Sequence, residues 1–164
     1  MIRAWLPPIS TSTMIINVLG PSVTGDGMKA FSRKELEYLK EQWLGRLATV
    51  SKKSMPQLTP VGFAADEKRL YLTIQHTSQK AKNIKENPRV SFVVDDWPSW
   101  EKTRGVRVNG TAELISDGML HEAGRQLIYE KYPRYEEDYG IREDGWSNYI
   151  LVITPTKVRS WGLA

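Results

Sequence analysis

Residues 45–96 determine the fold, and they read GRLATVSKKSMPQLTPVGFAADEKRLYLTIQHTSQKAKNIKENPRVSFVVDD. Short runs rich in β-forming residues alternate with polar turns, a pattern that predicts antiparallel strands at 46–50, 57–65 and 69–74. Pro60 in the second run indicates an edge strand or a bulge, because proline cannot donate to a strand ladder. A short helix capped by Thr77 or Ser78 then leads into a buried strand at 89–95.

The flanking sequence adds helices and further strands. A capping box, Ser32-Arg33-Lys34-Glu35, predicts a helix before the quoted stretch, and an apolar stripe predicts another at 117–131. Strands are predicted at 104–115, 149–153 and 157–161, with loops at 96–102 and 133–148 and a turn at 154–155. About six to seven strands, mostly antiparallel, with a few short helices indicate a mainly β fold that closes or half-closes into a barrel.

The composition limits the class of protein. The chain has 164 residues, of which 40% are hydrophobic and 26% are charged, as expected for one globular domain. It has no cysteine and only two histidines, which excludes disulfides, cysteine nucleophiles and a three-histidine zinc site. The net charge of +4 suits an anionic ligand. No apolar run approaches the roughly 20 residues of a membrane span, so we expect a cytoplasmic protein with no membrane partner.

The first 27 residues differ from the rest of the chain. Their only charged side chains are Arg3 and Asp26, and prolines interrupt the features of a secretion signal. We expect residues 1–27 to be an N-terminal arm or extension, partly disordered, ahead of one domain at 28–164. Residues 14–19 offer an alternative, in which the arm adds a strand to a partner.

Common catalytic motifs are absent from the sequence. There is no P-loop, no Rossmann glycine motif and no nucleophile elbow. Asp95 and Asp96 would point to opposite faces of a strand, so we expect a solvated strand end and no metal site. His76 is expected to be a polar turn residue, and His121 to be solvated. The sequence therefore assigns no catalytic side chain.

The passage from strand to helix near residue 78 has the features of an anion site. Two hydroxyls, those of Thr77 and Ser78, precede Lys80 at the helix start. Free amides and the helix dipole at such a start attract anions. A plain helix cap with solvated lysines is the alternative, because serine and threonine are common caps. Gln57 and Thr59 on the preceding strand could offer polar groups to a planar heterocycle.

Several short motifs, taken in order, resemble a known family. Ser78-Gln79-Lys80 before the helix and Asn87-Pro88-Arg89-Val90 after it resemble the pyridoxamine 5'-phosphate oxidase-like split-barrel flavoproteins. RGVRVNGTAEL at 104–114 is similar to the strand that follows in that family. TPTKVRSWGL at 154–163 is similar to the subgroup that uses the deazaflavin coenzyme F420. The resemblance covers residues 31–163.

The resemblance implies an antiparallel, Greek-key-like split β-barrel. It further implies a homodimer with FMN or F420 at the subunit interface. The positions that match the family's cofactor-binding residues, or adjoin them as hydrogen-bond donors, are Gln57, Thr59, Pro60, Val61, Thr73, Thr77, Ser78 and Lys80. Lys80 and Ser78 match the phosphate-binding residues. The strand along the ring system is matched by Gln57, Thr59, Pro60 and Val61. Thr73 matches the end of the strand before the phosphate turn.

The chain departs from the true oxidases at two places. Gln79 stands where those enzymes carry an arginine, and their arginine-rich C-terminal substrate motif is absent. The missing charge and the tail motif favour F420 over FMN and argue against the pyridoxamine phosphate reaction. Arg104 and Arg107 either attract an acidic cofactor tail or are solvated. Trp161 either reaches the partner's cofactor or is a core residue.

The function implied by the resemblance is a flavin- or deazaflavin-dependent oxidoreductase. It would transfer hydride between bound FMN or F420 and an unidentified small molecule, and the cofactor would supply the chemistry that the side chains lack. A non-catalytic flavin- or haem-binding split barrel is the alternative. A nucleic-acid-binding barrel, with bases stacked on Trp97, Trp100 and Trp146, ranks last because the positive charge is spread along the chain.

Overall fold

A computed structural model describes residues 30–134 and 149–163, and it confirms a mainly β fold. The described chain has three helices, α1 (Arg33–Glu41), α2 (Gln79–Glu86) and α3 (Met119–Lys131). Its seven strands are β1 (Leu44–Val50), β2 (Pro56–Gly62), β3 (Ala64–Ala65), β4 (Leu70–Thr73), β5 (Arg89–Ser99), β6 (Lys102–Ile115) and β7 (Ile150–Trp161). The predictions for the arm at 1–27 and for most of the loop at 133–148 lie outside the described residues.

The seven strands form one antiparallel sheet that curls into a split barrel. Their order is β2-β1-β5-β6-β7-β4-β3. β2 lies at one edge, which confirms the edge position expected from Pro60. β2 also contacts β4, close to the other end of the sheet, although no ladder joins the two strands. We call this line of contact between β2 and β4 the seam.

The core fills the inside of the curled sheet. Alternate residues of β6 point inward, as the sequence predicts, and Val106, Val108 and Ala112 are buried. A smaller apolar cluster lies under α3. The expectation that His121 is solvated is wrong, because this residue is only 4% exposed. His121 shares the buried face of α3 with Gly124 and Ile128, at the spacing of helical turns.

Three strand boundaries differ from those expected. The predicted loop at 96–102 is the end of a β5–β6 hairpin, where the exposed rings of Trp97 and Trp100 meet edge to face at 5.6 Å. The predicted turn at 154–155 lies inside β7, where a bulge at Thr156 leaves this residue without a cross-strand partner between Asn109 and Gly110 of β6. The run at 57–65 is broken at Phe63 into β2 and β3.

Two polar arrangements fix α1. Its capping box is confirmed, with the Ser32 amide donating to the Glu35 carboxylate at 2.8 Å. The Tyr38 hydroxyl donates to Asp96 at 3.0 Å, and Arg104 binds the same carboxylate through two nitrogens at 2.9 and 3.0 Å. The hydrogen bond from Arg104 lowers the pKa of Asp96. Asp96 therefore anchors α1 to the hairpin and is not simply a solvated strand end.

Lys131, at the end of α3, joins α1 to the strands. Its ammonium group donates to the Leu39 carbonyl at 2.9 Å and lies 3.9 Å from the centroid of the Phe63 ring. Burial lowers the pKa of Lys131 to about 8. The lysine thus contributes to packing between elements while its charge is partly desolvated.

We expect Gly45→Ala to lower the free energy of unfolding by about 1–3 kcal/mol, the usual cost of overpacking a core. An added Cβ at Gly45 would lie 2.1 Å from a ring carbon of Phe92. Gly62→Ala is the control, because its Cβ would lie 3.3 Å from the nearest atom, the Tyr132 hydroxyl. Urea unfolding of both variants checks this. Wild-type stability in Gly45→Ala would contradict the close approach at Gly45.

We expect wild-type stability to rise between about pH 8 and about pH 9.5, and the rise to be absent in Lys131→Met. The folded-state pKa of Lys131 is about 8. An unfolded lysine titrates near 10.4, so in this window the unfolded state binds more protons. The upper end lies about half a unit below the pKa of an unfolded tyrosine, about 10, so the slope of Lys131→Met is subtracted to remove the contribution of the tyrosines. Lys82→Met, at an exposed position of α2, should keep the wild-type slope. Urea unfolding at each pH gives the slopes, and equal slopes in wild type and Lys131→Met would contradict the desolvated lysine.

Candidate functional site

A cavity of about 390 Å³ opens at the seam. Parts of β1, β2, β4, α2 and α3 line it, together with residues that directly follow β4 and α3. The lining residues are Leu44, Pro60, Val61, Gly62, Thr73, Ile74, Gln75, Lys80, Ile128 and Tyr132. Four of the eight predicted cofactor residues are among these, and they are Pro60, Val61, Thr73 and Lys80. The seam thus brings together residues from both halves of the stretch that decides the fold.

The turn before α2 sets the direction of its first residues. The Ser78 amide donates to the Gln75 carbonyl at 3.0 Å, and the Ser78 hydroxyl accepts from the Ala81 amide at 3.4 Å. Ser78 is therefore the N-cap, whereas Thr77 is exposed. Neither residue lines the cavity.

The start of α2 is suited to an anion. The amides of Gln79 and Lys80 lie in the first turn, where no carbonyl of the helix can accept from them. Lys80 adds a positive charge and lines the cavity. His76 in the preceding turn packs on the Tyr149 ring at 4.9 Å, and its Nδ1 is buried with no partner among the described residues. The free amides and the charge of Lys80 fit a ligand with an anionic end.

A buried amide fastens α2 to the barrel and uses two of the residues noted in the sequence. Asn83 is 2% exposed, and its Nδ2 donates to the Thr49 hydroxyl at 3.0 Å and to the Gln57 Oε1 at 3.3 Å. The side-chain amide of Gln79 donates through Nε2 to the Asn83 Oδ1 at 2.9 Å. Gln57 thus supports α2 from beneath. Neither it nor Thr59 lines the cavity.

Tyr132 is a site residue that the sequence reasoning missed. Its hydroxyl accepts from the Phe63 amide at 2.9 Å. Its one proton is donated toward the Trp43 carbonyl at 2.6 Å, with the Phe63 carbonyl at 3.1 Å as a second, longer acceptor. Burial raises the pKa of Tyr132, so the hydroxyl keeps its proton at neutral pH. The hydroxyl thus joins Trp43, directly before β1, to Phe63, which lies between β2 and β3. Residues of β1 and β2 line the cavity.

The cavity has one charged lining residue, Lys80. Arg46, which lies opposite Pro60, is paired with the Asp95 carboxylate. Cross-strand partners lead from Pro60 over the outer face of the sheet through Arg46, Val93 and Arg107 to Arg159. Arg107 and Arg159 are exposed and directly opposite each other, whereas Arg104 is engaged by Asp96.

The described residues contain neither a metal-binding cluster nor a membrane-spanning helix. In residues 30–134 and 149–163, histidine and carboxylate side chains form no group that could hold a metal ion. None of the three helices described has the length and apolar character needed to cross a bilayer.

Comparison with known proteins identifies relatives. A 5a,11a-dehydrotetracycline/5a,11a-dehydrooxytetracycline reductase from Streptomyces rimosus subsp. rimosus is 34% identical over 139 residues, which are 81% of this chain and 84% of that protein. A solved F420 reductase is 30% identical with a TM-score of 0.58, and the match covers 75% of this chain and 94% of that one. HutZ, the haem storage protein from Vibrio cholerae, shares the fold at 16% identity and a TM-score of 0.66, with coverage of 84% and 98%.

The family model described as pyridoxamine 5'-phosphate oxidase matches residues 31–162. This range holds every described element, including the seam and its cavity. The chain therefore belongs to the pyridoxamine 5'-phosphate oxidase family.

Proposed function

We propose that the protein is a reductase that binds coenzyme F420 in the cavity at the seam and transfers hydride to an unsaturated small molecule. The observation that carries the proposal is the meeting of Lys80 and the start of α2 with the Pro60–Val61 segment of β2. The charge of Lys80 and the free amides of α2 suit a phosphate. The neighbouring segment of β2 suits a planar ring attached to that phosphate. The reductase and F420 reductase relatives support the same chemistry.

Each lining residue has a distinct task in this proposal. Lys80 pairs with the cofactor phosphate, and the free amides of Gln79 and Lys80 donate to its oxygens. Pro60 and Val61 line the ring system, and Thr73 adds a hydroxyl beside it. When bound, the reduced cofactor supplies a hydride. Tyr132 is not the proton donor, because its hydroxyl is engaged by backbone carbonyls.

The choice of F420 over FMN rests on charge. Gln79 stands where an arginine would add a second phosphate-binding charge, and its side chain is already bonded to Asn83. Arg107 and Arg159 oppose each other across β6 and β7, and like charges in that position are unfavourable in a sheet. An acidic cofactor tail that leaves the cavity past Pro60 would neutralise them. FMN has no such tail.

A homodimer with the cofactor at the subunit interface is part of the proposal. The outer face of β2 exposes Leu58, which is 65% accessible, close to the cavity-lining Pro60. A second copy of the chain on this face would cover the leucine and enclose the cofactor. Two-fold pairing is the commonest form of association.

We also propose that the protein acts in the cytoplasm.

Parallel titrations with F420, FMN and hemin test the proposed cofactor, with quenching of tryptophan fluorescence as the readout. We expect F420 to bind at least about tenfold more tightly than FMN, the effect of roughly one added charged contact. Tight binding of FMN alone would contradict the choice of F420 but keep the oxidoreductase. Binding of hemin alone would favour the non-catalytic alternative, and binding of none of the three would overturn the proposal.

We expect Lys80→Ala to weaken cofactor binding by about 10- to 100-fold, since a charged hydrogen bond contributes about 1.5–3 kcal/mol. Lys82→Ala is the matched control, because it removes the same charge from an exposed position of the same helix. The control should bind within about twofold of wild type, since an exposed charge that does not line the cavity contributes little. Unchanged affinity in Lys80→Ala would refute its assignment to the phosphate.

A further inference from the structure

The second half of β7 has a neighbouring strand on one side only. β6 pairs with β7 from Ile150 to Trp161, whereas β4 pairs with its other side only from Ile150 to Ile153. No other described strand pairs with residues 154–161 on the β4 side. We call this side of residues 154–161 the open edge. Unpaired backbone groups at such an edge readily accept a further strand.

Burial along β7 changes at the residue where the pairing with β4 ends. The four residues from Ile150 to Ile153, which have β4 beside them, are each 0% exposed. Along the open edge Pro155 and Val158 are half-buried, and the other six residues are exposed. Val158 packs at the margin of the main core cluster. A strand beside the open edge would therefore cover Val158 and extend the core.

The N-terminal arm joins the described chain close to the point where the open edge begins. The Ala30 amide donates to the Glu67 carbonyl at 2.8 Å. Glu67 lies in the turn that leads into β4, and the first residue of β4, Leu70, is opposite Ile153. The open edge starts at the residue after Ile153. Ala30 also packs against the same core cluster as Val158.

Residues 14–19 of the arm, MIINVL, have the length and composition of a strand. Three of the six residues are β-branched, which favours an extended backbone. In a strand Met14, Ile16 and Val18 would share one face, and the one polar residue, Asn17, would lie on the other. This alternation suits a sheet that has the core on one face and solvent on the other.

The connection between this segment and the barrel is long enough for such pairing. Residues 20–29 link the segment to Ala30. Ten extended residues span at most about 33–36 Å, and a strand of six residues is about 20 Å long. With residue 19 nearer to Thr154 than residue 14 is, the segment would run antiparallel to β7. It would then have the same direction as β4, in agreement with the antiparallel sheet.

We propose that residues 14–19 pair with the open edge of β7 in the same chain, antiparallel and with their all-apolar face toward the core. Pro155 cannot donate and Thr156 is bulged, so the added ladder would use residues 157–161. Every second residue of an edge strand turns its amide and carbonyl outward, so about two or three residues of β7 gain partners. The arm thereby completes the sheet beyond the end of β4.

Hydrogen–deuterium exchange of the full chain tests the pairing, with peptides that cover residues 157–161 as the readout. Ile16→Pro removes a donor in the middle of the segment, and proline is not tolerated at a paired position of a ladder. Thr11→Pro is the matched control, because it places proline in the arm outside the segment. We expect the outward amides to exchange slowly in wild type and in Thr11→Pro. They should exchange at least about tenfold faster in Ile16→Pro, since they lose their partners.

Introduced cysteines show which chain supplies the strand, because the protein has no cysteine of its own. Asn17→Cys is combined in turn with Lys157→Cys and with Arg159→Cys, two exposed positions on the outer face of β7. We expect a disulfide within one chain in at least one of the two pairs, seen as a faster monomer band on a non-reducing gel. Thr11→Cys with the same partners should form none.

Other outcomes would overturn the proposal. Fast exchange of the outward amides in wild type would leave the edge open, and protection that survives Ile16→Pro would remove the segment from it. If that protection falls on dilution, the edge is covered by a second copy of the chain. A disulfide between two chains would assign the strand to the arm of a second copy. Both proline variants lie outside residues 31–162, which match the family model, so the barrel should fold in each.

Discussion

The hydroxyl of Tyr132 holds together the part of the barrel on which the candidate site depends. It bonds the amide and the carbonyl of Phe63, where β2 breaks from β3, and the carbonyl of Trp43, where β1 is about to begin. A split barrel has no continuous ladder at its seam, so side chains must satisfy the backbone groups exposed there. Tyr132 does this from the end of α3. The same hydroxyl thereby shapes the cavity and orients Trp43.

A second polar network fixes the other side of the cavity. Asn83 is buried under α2 and joins the helix to Thr49 of β1 and Gln57 of β2. A buried amide must find partners, so the helix can dock in only one register. That register places Lys80 at the cavity and leaves the first amides of α2 open. The position of the positive charge is therefore a consequence of core hydrogen bonding.

Local signals predicted the frame of the molecule. The capping box at Ser32, the edge position of Pro60 and the alternation along β6 each depend on neighbouring residues, and the structure agrees with all three. Four of the eight predicted cofactor residues line the cavity, because the resemblance placed them on β2, β4 and α2, which meet at the seam. The seam, by contrast, joins residues that are distant in the chain. Tyr132 lies 69 positions from Phe63 and 89 from Trp43, and no local pattern announces such bonds.

The central claim is that the cavity at the seam holds the cofactor with its phosphate at the start of α2. A crystal structure of the protein with F420 tests it most directly. We expect the phosphate within hydrogen-bonding distance of Lys80 Nζ and the backbone amides of Gln79 and Lys80, with the ring system along Pro60 and Val61. A cofactor bound away from the seam, or a phosphate that contacts none of these groups, would contradict it.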